Sequence, residues 1–175
     1  MIAVCGPNEA TDEEIRWAEE VGERIARAGH ALVCGGRGGV MAAACRGARR
    51  AGGATIGILP GTDRREANEW VEHVICTGLG NARNAVVVAS GEAVIAIGGG
   101  FGTLSEIALA LKMGKHVIGL GSWDLDAARL VRFGGEGRYH RAEDPAQAVA
   151  LALDAIAHTS AVRARRLEEP PSSHG

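Results

Sequence analysis

The stretch Ala93-Val94-Ile95-Ala96-Ile97-Gly98-Gly99-Gly100-Phe101-Gly102-Thr103-Leu104-Ser105-Glu106-Ile107-Ala108-Leu109-Ala110-Leu111-Lys112-Met113 decides the fold. Its first five residues are apolar without alternation, the pattern of a strand buried on both faces. Gly98–Gly102, glycine at all but one position, breaks that strand. Thr103–Met113 then has the composition and spacing of a helix. Strand, glycine loop and helix together form the unit from which parallel sheets are built.

The same unit repeats outward in both directions. Upstream, Met1–Cys5 reads as a strand and Thr11–Ala28 as a helix, opened by the capping box Thr11-x-x-Glu14 and closed at Gly29. Ala31–Cys34 is a second strand, Gly35–Gly39 a loop, and Val40–Ala51 a helix. Thr55–Leu59 and His73–Cys76 are further strands. Asn81–Ala89 is expected to be helical because the alternation requires it, although Val86-Val87-Val88 favours a strand. Downstream, His116–Leu120 is a strand, and Asp144-Pro145 opens a last helix to about Ile156. The alternation predicts one α/β domain over residues 1–158, a doubly wound parallel sheet with helices on both faces, and a mobile tail over 159–175.

Composition agrees and excludes several classes. The 175 residues are 46% hydrophobic and 23% charged, which rules out wholesale disorder. Aromatics are only 3% against 26 glycines, so the core must be built from Ala, Val, Ile and Leu. A net charge of −2 provides no basic face for a nucleic acid. Arg163–Arg166 is followed at once by Glu168 and Glu169, and reads as a solvated tail. No apolar run approaches the roughly 18 residues of a membrane span, and the start at Met1-Ile2-Ala3-Val4 is not that of a signal peptide. A cytoplasmic protein with no membrane partner is expected. Ala85–Ala89 and Ile107–Leu111 are apolar nearly all round, which predicts a homodimer or larger homo-oligomer covering their outer faces.

Cys5, Cys34, Cys45 and Cys76 match no zinc spacing, and no metal site is expected. Buried reduced thiols are the first reading; Cys5 and Cys34 both close strands, which leaves a redox role open beside it.

Glycine loops running into helix N-termini are ready anion sites, because free N–H groups and the helix dipole point at the ligand. Three occur here, at Gly35–Gly39, Gly78–Gly80 and Gly98–Gly102. None is a Walker A loop, since Gly114-Lys115 continues into His116. None completes GxGxxG, and no acidic residue closes the second strand, so NAD is not expected. The candidate phosphate and ligand contacts are Gly35, Gly36, Arg37, Gly38, Gly39, Gly80, Asn84, Gly98, Gly99, Gly100, Gly102 and Thr103. Arg83, at a helix start where the dipole disfavours a cation, is either an exposed arginine or the partner of a bound anion. Glu106 also has two readings. Thr103-x-x-Glu106 is a capping box by spacing, and the same carboxylate beside a phosphate loop could stabilise an oxocarbenium-like sugar centre.

Cys34-Gly35-Gly36-Arg37-Gly38-Gly39-Val40-Met41, Gly57-Ile58-Leu59-Pro60, Ala82-Arg83-Asn84 and Gly98-Gly99-Gly100-Phe101-Gly102-Thr103-Leu104-Ser105-Glu106 occur in an order that resembles the LONELY GUY phosphoribohydrolases and their relatives. Within that superfamily the GGG loop and the ARN tripeptide look most like the molybdenum-cofactor carrier group and the uncharacterised bacterial proteins grouped with it. The resemblance implies a Rossmann-like fold and a homo-oligomer. It implies no required cofactor, and either a molybdenum cofactor or a nucleotide as bound ligand. It gives Glu106 the role of stabilising a ribosyl transition state, Arg83 that of orienting the nucleotide, and the Gly99–Thr103 loop that of holding phosphate. Gly98 stands where the hydrolases usually have Pro, and Asn84 where they usually have Lys, which moves the chain toward the carrier group. A binding protein for a phosphorylated nucleotide-like or pterin ligand is therefore the first expectation. Hydrolysis of a nucleoside 5′-monophosphate to free base and ribose 5-phosphate is the alternative. Lysine decarboxylation, a label relatives have carried, is not expected, because neither Lys112 nor Lys115 lies in a pyridoxal-phosphate motif.

Overall fold

The computed structural model describes residues 1–168. It contains β1 (Ile2–Cys5), α1 (Asp12–Arg27), β2 (Leu32–Cys34), α2 (Gly39–Arg50), β3 (Thr55–Leu59), β4 (His73–Cys76), α3 (Arg83–Ser90), β5 (Ala93–Ile97), α4 (Phe101–Lys112), β6 (His116–Leu120), α5 (Ala127–Arg132), β7 (Tyr139–Ala142) and α6 (Pro145–Glu168). The strands form one seven-stranded sheet in the order β4-β3-β2-β1-β5-β6-β7, and every pairing is parallel. The chain therefore reverses its winding direction between β1 and β5. In doubly wound sheets the crevice beyond the carboxyl ends of those two strands is where ligands sit.

Parity along the strands sorts the core into two layers. Ile2, Val4, Leu32, Ile95, Ile97, Ile118 and Leu120 face α1, α2 and α6. Ala3, Cys5, Val33, Ile58, Val94, Ala96 and Val117 face α3 and α4. The first layer is thickly covered: α1 and α2 cross so closely that a Cβ on Gly22 would overlap the Ala44 carbonyl. The second layer is covered by two helices, α3 and α4, with Trp123 and Leu125 also packed against it.

The expected alternation is present, with differences at the edges. The Val86–Val88 run is helical, because α3 buries Val87 and Val88 against the sheet and that packing overrides β propensity. A 3₁₀ turn over Gly80–Ala82 precedes it. The last helix passes Ile156 and reaches Glu168, so the tail expected from 159 begins as helix, and residues 169–175 lie outside the described residues. α5 and β7 had no counterpart in the sequence reading. Of the four cysteines, Cys5, Cys34 and Cys45 are buried as expected, whereas Cys76, on the edge strand β4, is exposed. No helix among the described residues is long and apolar enough to cross a membrane.

Candidate functional site

The three glycine loops come to the carboxyl edge of the sheet but differ in what their N–H groups already hold. In the first, Gly36 N–H donates to Cys34 Sγ at 3.3 Å, Gly38 N–H to Asn8 Oδ1 at 2.9 Å and Val40 N–H to the Pro7 carbonyl at 3.1 Å. Asn68 clamps the same loop through the carbonyls of Gly36 and Arg37. Gly39, at φ +56°, lies against the Pro7 and Asn8 carbonyls. Arg37 is paired with Glu66 at 2.6 Å, although its charge still reaches Arg83. In the second loop, Gly80 N–H donates to the Pro60 carbonyl at 2.9 Å. These two loops are largely self-satisfied.

The third loop is different. Gly98 N–H is held by the Leu120 carbonyl at 3.0 Å, and the Glu14 carboxylate lies against Gly98, so the anion-compatible part begins beyond it. α4 opens at Phe101 with Gly100 as its cap residue, and no side chain caps it. The N–H groups of Phe101, Gly102 and Thr103 are first-turn donors without intrahelical acceptors. A Cβ at Gly100 or Gly102 would meet nothing within 4 Å. An open, uncapped helix start is the geometry an anion needs.

This start corrects the capping-box reading of Thr103 and Glu106. The helix begins two residues before Thr103, so Thr103 lies inside the first turn and Glu106 in the second. Their side chains turn inward: Thr103 is 2% exposed and Glu106 7%. Glu106 comes up against Cys5 at the end of β1, and its charge is felt by Arg83 at the start of α3. Burial raises the Glu106 carboxyl to about 7; Arg83 and a hydrogen bond from the Cys5 thiol pull the other way. The Cys5 thiol is pushed well up, by burial first and by the Glu106 charge second.

Arg83 is half-buried, and its guanidinium occupies the space where a Gly35 side chain would be. Burial lowers its pKa and the Glu106 charge opposes that shift. Arg83 and Glu106 form no direct ion pair, and Arg83 Nε is buried with no hydrogen-bond partner. Buried polar atoms are ordinarily satisfied. An arginine left in this state beside unengaged helix-start amides suits an anionic ligand. Asn84 is engaged elsewhere, since its Nδ2 donates to Ser105 Oγ at 2.9 Å and ties α3 to α4.

The structure thus brings Gly35, Arg83, Gly99, Gly100, Gly102, Thr103 and Glu106 to one end of the sheet. Gly36, Gly38, Gly39, Gly80, Arg37 and Asn84 are occupied by contacts of their own. Cys5 and Trp123 were not assigned to the site from sequence. Trp123 Nε1 donates to the Gly100 carbonyl at 3.3 Å. The aromatic pair Phe101 and Trp123 was visible only as two of the chain's few aromatics. Cys34 meets Cys45 at 3.5 Å on the opposite face of the sheet from Cys5. No group of three metal-ligating side chains occurs among the described residues. A cavity of about 570 Å³ lies elsewhere, between the end of α4 and α5, and shares no residue with the loops.

Comparison with known proteins gives this geometry its context. The family model described as SLOG cluster4 family, LDcluster4, matches residues 1–149. A molybdenum cofactor binding protein from Rippkaea orientalis is 43% identical, with a TM-score of 0.81 over 89% of this chain and 96% of that one. The molybdenum cofactor carrier protein of Chlamydomonas reinhardtii is 39% identical, with a TM-score of 0.81 over 89% and 97%. A cytokinin riboside 5′-monophosphate phosphoribohydrolase of Mycobacterium tuberculosis is 33% identical over 110 residues, 61% of this chain and 59% of that protein.

Proposed function

The chain belongs to the SLOG cluster4 family, and on that premise we propose that it binds a phosphorylated heterocyclic ligand of the molybdenum-cofactor kind. The observation that carries this reading is the uncapped start of α4 next to Arg83, whose Nε has no partner. The ligand phosphate accepts from the N–H groups of Phe101, Gly102 and Thr103, while Gly100 and Gly102 keep the approach free of side chains and Gly99 gives room to Trp123. Arg83 supplies the counter-charge. Resemblance to the molybdenum cofactor binding and carrier proteins over nearly the whole of both chains supports the same ligand class.

A second reading rests on Glu106. A buried carboxyl near 7 beside an arginine suits proton handling at neutral pH. In hydrolysis of a nucleoside 5′-monophosphate, the bond from ribose C1′ to the base breaks and its electron pair leaves with the base. Water then adds to C1′, and the base takes up a proton. Glu106, ionised, would stabilise the positive charge developing on the sugar. Similarity to the phosphoribohydrolase over part of each chain supports this alternative.

One experiment separates them. Calorimetric titration with inorganic phosphate, a pterin monophosphate and AMP is run beside chromatographic assay of adenine and ribose 5-phosphate from AMP, on wild type and Glu106→Ala. The binding reading expects the pterin phosphate to bind both proteins, with no adenine released by either. Adenine from the wild type alone would make the protein a hydrolase that depends on Glu106. No binding of any of the three to folded protein would sink the phosphate assignment.

A further inference from the structure

The sequence offers only two phenylalanines, and one of them, Phe101, is 85% exposed at the first position of α4. An aromatic ring this exposed leaves most of its apolar area in water. Its one aromatic neighbour is Trp123, with ring centroids 6.1 Å apart and planes tilted by 33°. Trp123 is itself fixed by its bond to the Gly100 carbonyl and lies against Gly99, where a Cβ would stand 2.7 Å from Nε1. Gly99, Gly121, Ser122 and Trp123 line a shallow cleft of about 270 Å³. Ser122 Oγ is buried there and makes no hydrogen bond. Phe101 is not part of the lining but stands beside the cleft through its pairing with Trp123, so an exposed aromatic ring borders a small cleft, a surface on which a flat heterocycle can stack.

The position of this cleft matters. Along the carboxyl edge of the sheet, the strand ends run from β2 at Gly35, through β1 at Cys5 and β5 at Gly98, to β6 at Gly121. Glu106 and Arg83 therefore lie on the β1–β2 side of the α4 start, and Trp123 lies on its β6 side. A ligand phosphate on α4 has a way out in either direction.

We propose that the Trp123 cleft and the exposed Phe101 ring beside it form a second subsite, which takes a planar heteroaromatic ring on the β6 side of the phosphate loop, across from Glu106 and Arg83. It rests on the phosphate reading above. A mononucleotide directed toward Glu106 leaves this cleft empty. A pyrophosphate-linked ligand with a ring at each end fills both sides, so the preferred ligand class is dinucleotide-like.

Calorimetry with inorganic pyrophosphate, AMP and diadenosine 5′,5′-diphosphate tests this on wild type, Phe101→Ala and Phe101→Tyr. The wild type should bind the diadenosine compound at least about tenfold more tightly than AMP, a gain within the range of base stacking on an aromatic side chain. Tryptophan fluorescence should change with that compound and not with pyrophosphate. Phe101→Ala should lose the advantage and Phe101→Tyr should keep it; the exposure of Phe101 means neither change threatens folding. Equal binding of AMP and the diadenosine compound by the wild type would overturn the subsite alone. So would an undiminished advantage in Phe101→Ala. Failure of all three probes to bind folded protein would overturn the phosphate reading and the subsite with it.

Discussion

Glu106 holds a proton more tightly in the folded chain than in the unfolded one, because burial lifts its carboxyl from 4.5 to about 7. Between those values the folded state binds more protons than the unfolded state. Stability contributed by the protonated form is complete at acid pH and is lost as pH rises through about 7. Replacing Glu106 by Gln removes this dependence. Denaturant titrations from pH 4.5 to 8 should show the variant gaining on wild type by on the order of 2–3 kcal/mol across that window. A difference independent of pH would mean that Glu106 titrates normally. Gly35 acts on the same site through space. Its φ is ordinary, so alanine fits the backbone, but the added Cβ takes the place of the Arg83 guanidinium. Gly35→Ala should weaken anion binding about tenfold while shifting the melting temperature little, since the obstructed atoms, in the Arg83 guanidinium and at Met41 Sδ, belong to flexible side chains. Unchanged affinity would remove Arg83 from the site. Arg83 and Glu106 were legible in the sequence because each lies within a recognisable short motif. Cys5 was not, because its contact with Glu106 joins β1 to α4 across about a hundred residues of chain. The packing of Trp123 on Gly99 was hidden for a different reason: it joins the loops after two neighbouring strands, β5 and β6, and no short motif contains both residues.

Two Thr-x-x-Glu tetrads look alike in the sequence and behave differently as parts of helices. At α1 the box is real: Glu14 N–H donates to Thr11 Oγ1 at 3.2 Å and Thr11 N–H to Glu14 Oε2 at 2.7 Å. At α4 the helix has already begun at Phe101, since Gly100 takes the extended cap conformation and three glycines before Phe101 leave no side chain to compete for the start. Spacing alone could not separate these cases, because it fixes the interval between the residues and not the position of the first helical turn. Thr11→Ala should cost about 1 kcal/mol, a fall of roughly 2–4 °C in melting temperature. Thr103→Val keeps the shape of the side chain and removes a hydroxyl that caps nothing. Calorimetry should find both its melting temperature and its phosphate affinity unchanged, because the backbone N–H offered to the phosphate is kept and the hydroxyl turns inward; a fall of roughly 2–4 °C would restore the capping role. Elsewhere the elements were readable where apolar runs met glycine. α5 and β7 were not, since Tyr139-His140-Arg141-Ala142 lacks an apolar run and α5 is six residues long, held by Asp126 accepting from Arg129 N–H at 2.8 Å.

Across the whole molecule the sheet is covered unevenly, and the alternation of strands and helices could not reveal this. Sequence order gives the number of layers, but the thickness of each depends on which strands become neighbours. The face under α1, α2 and α6 carries helices of 16, 12 and 24 residues, whereas the other face carries α3 and α4, of 8 and 12. On that second face Ile75 pairs in register with Ile58 and therefore points the same way. Ile58 is buried under α3, but Ile75, one strand further out, is 48% exposed, and Leu79 just beyond it is 53% exposed. An apolar strip running on from a helix-covered core is what a second copy of the chain would bury. It adjoins α3, one of the two helices whose apolar composition predicts association. The expected assembly is a homodimer joined through the α3–β4 side. Sedimentation equilibrium on wild type and Ile75→Asp tests it. Because Ile75 is half exposed in the single chain, a carboxylate there should leave folding intact and convert dimer to monomer. A wild type that is already monomeric at micromolar concentration would refute the assembly, and a variant that remains dimeric would move the interface away from β4.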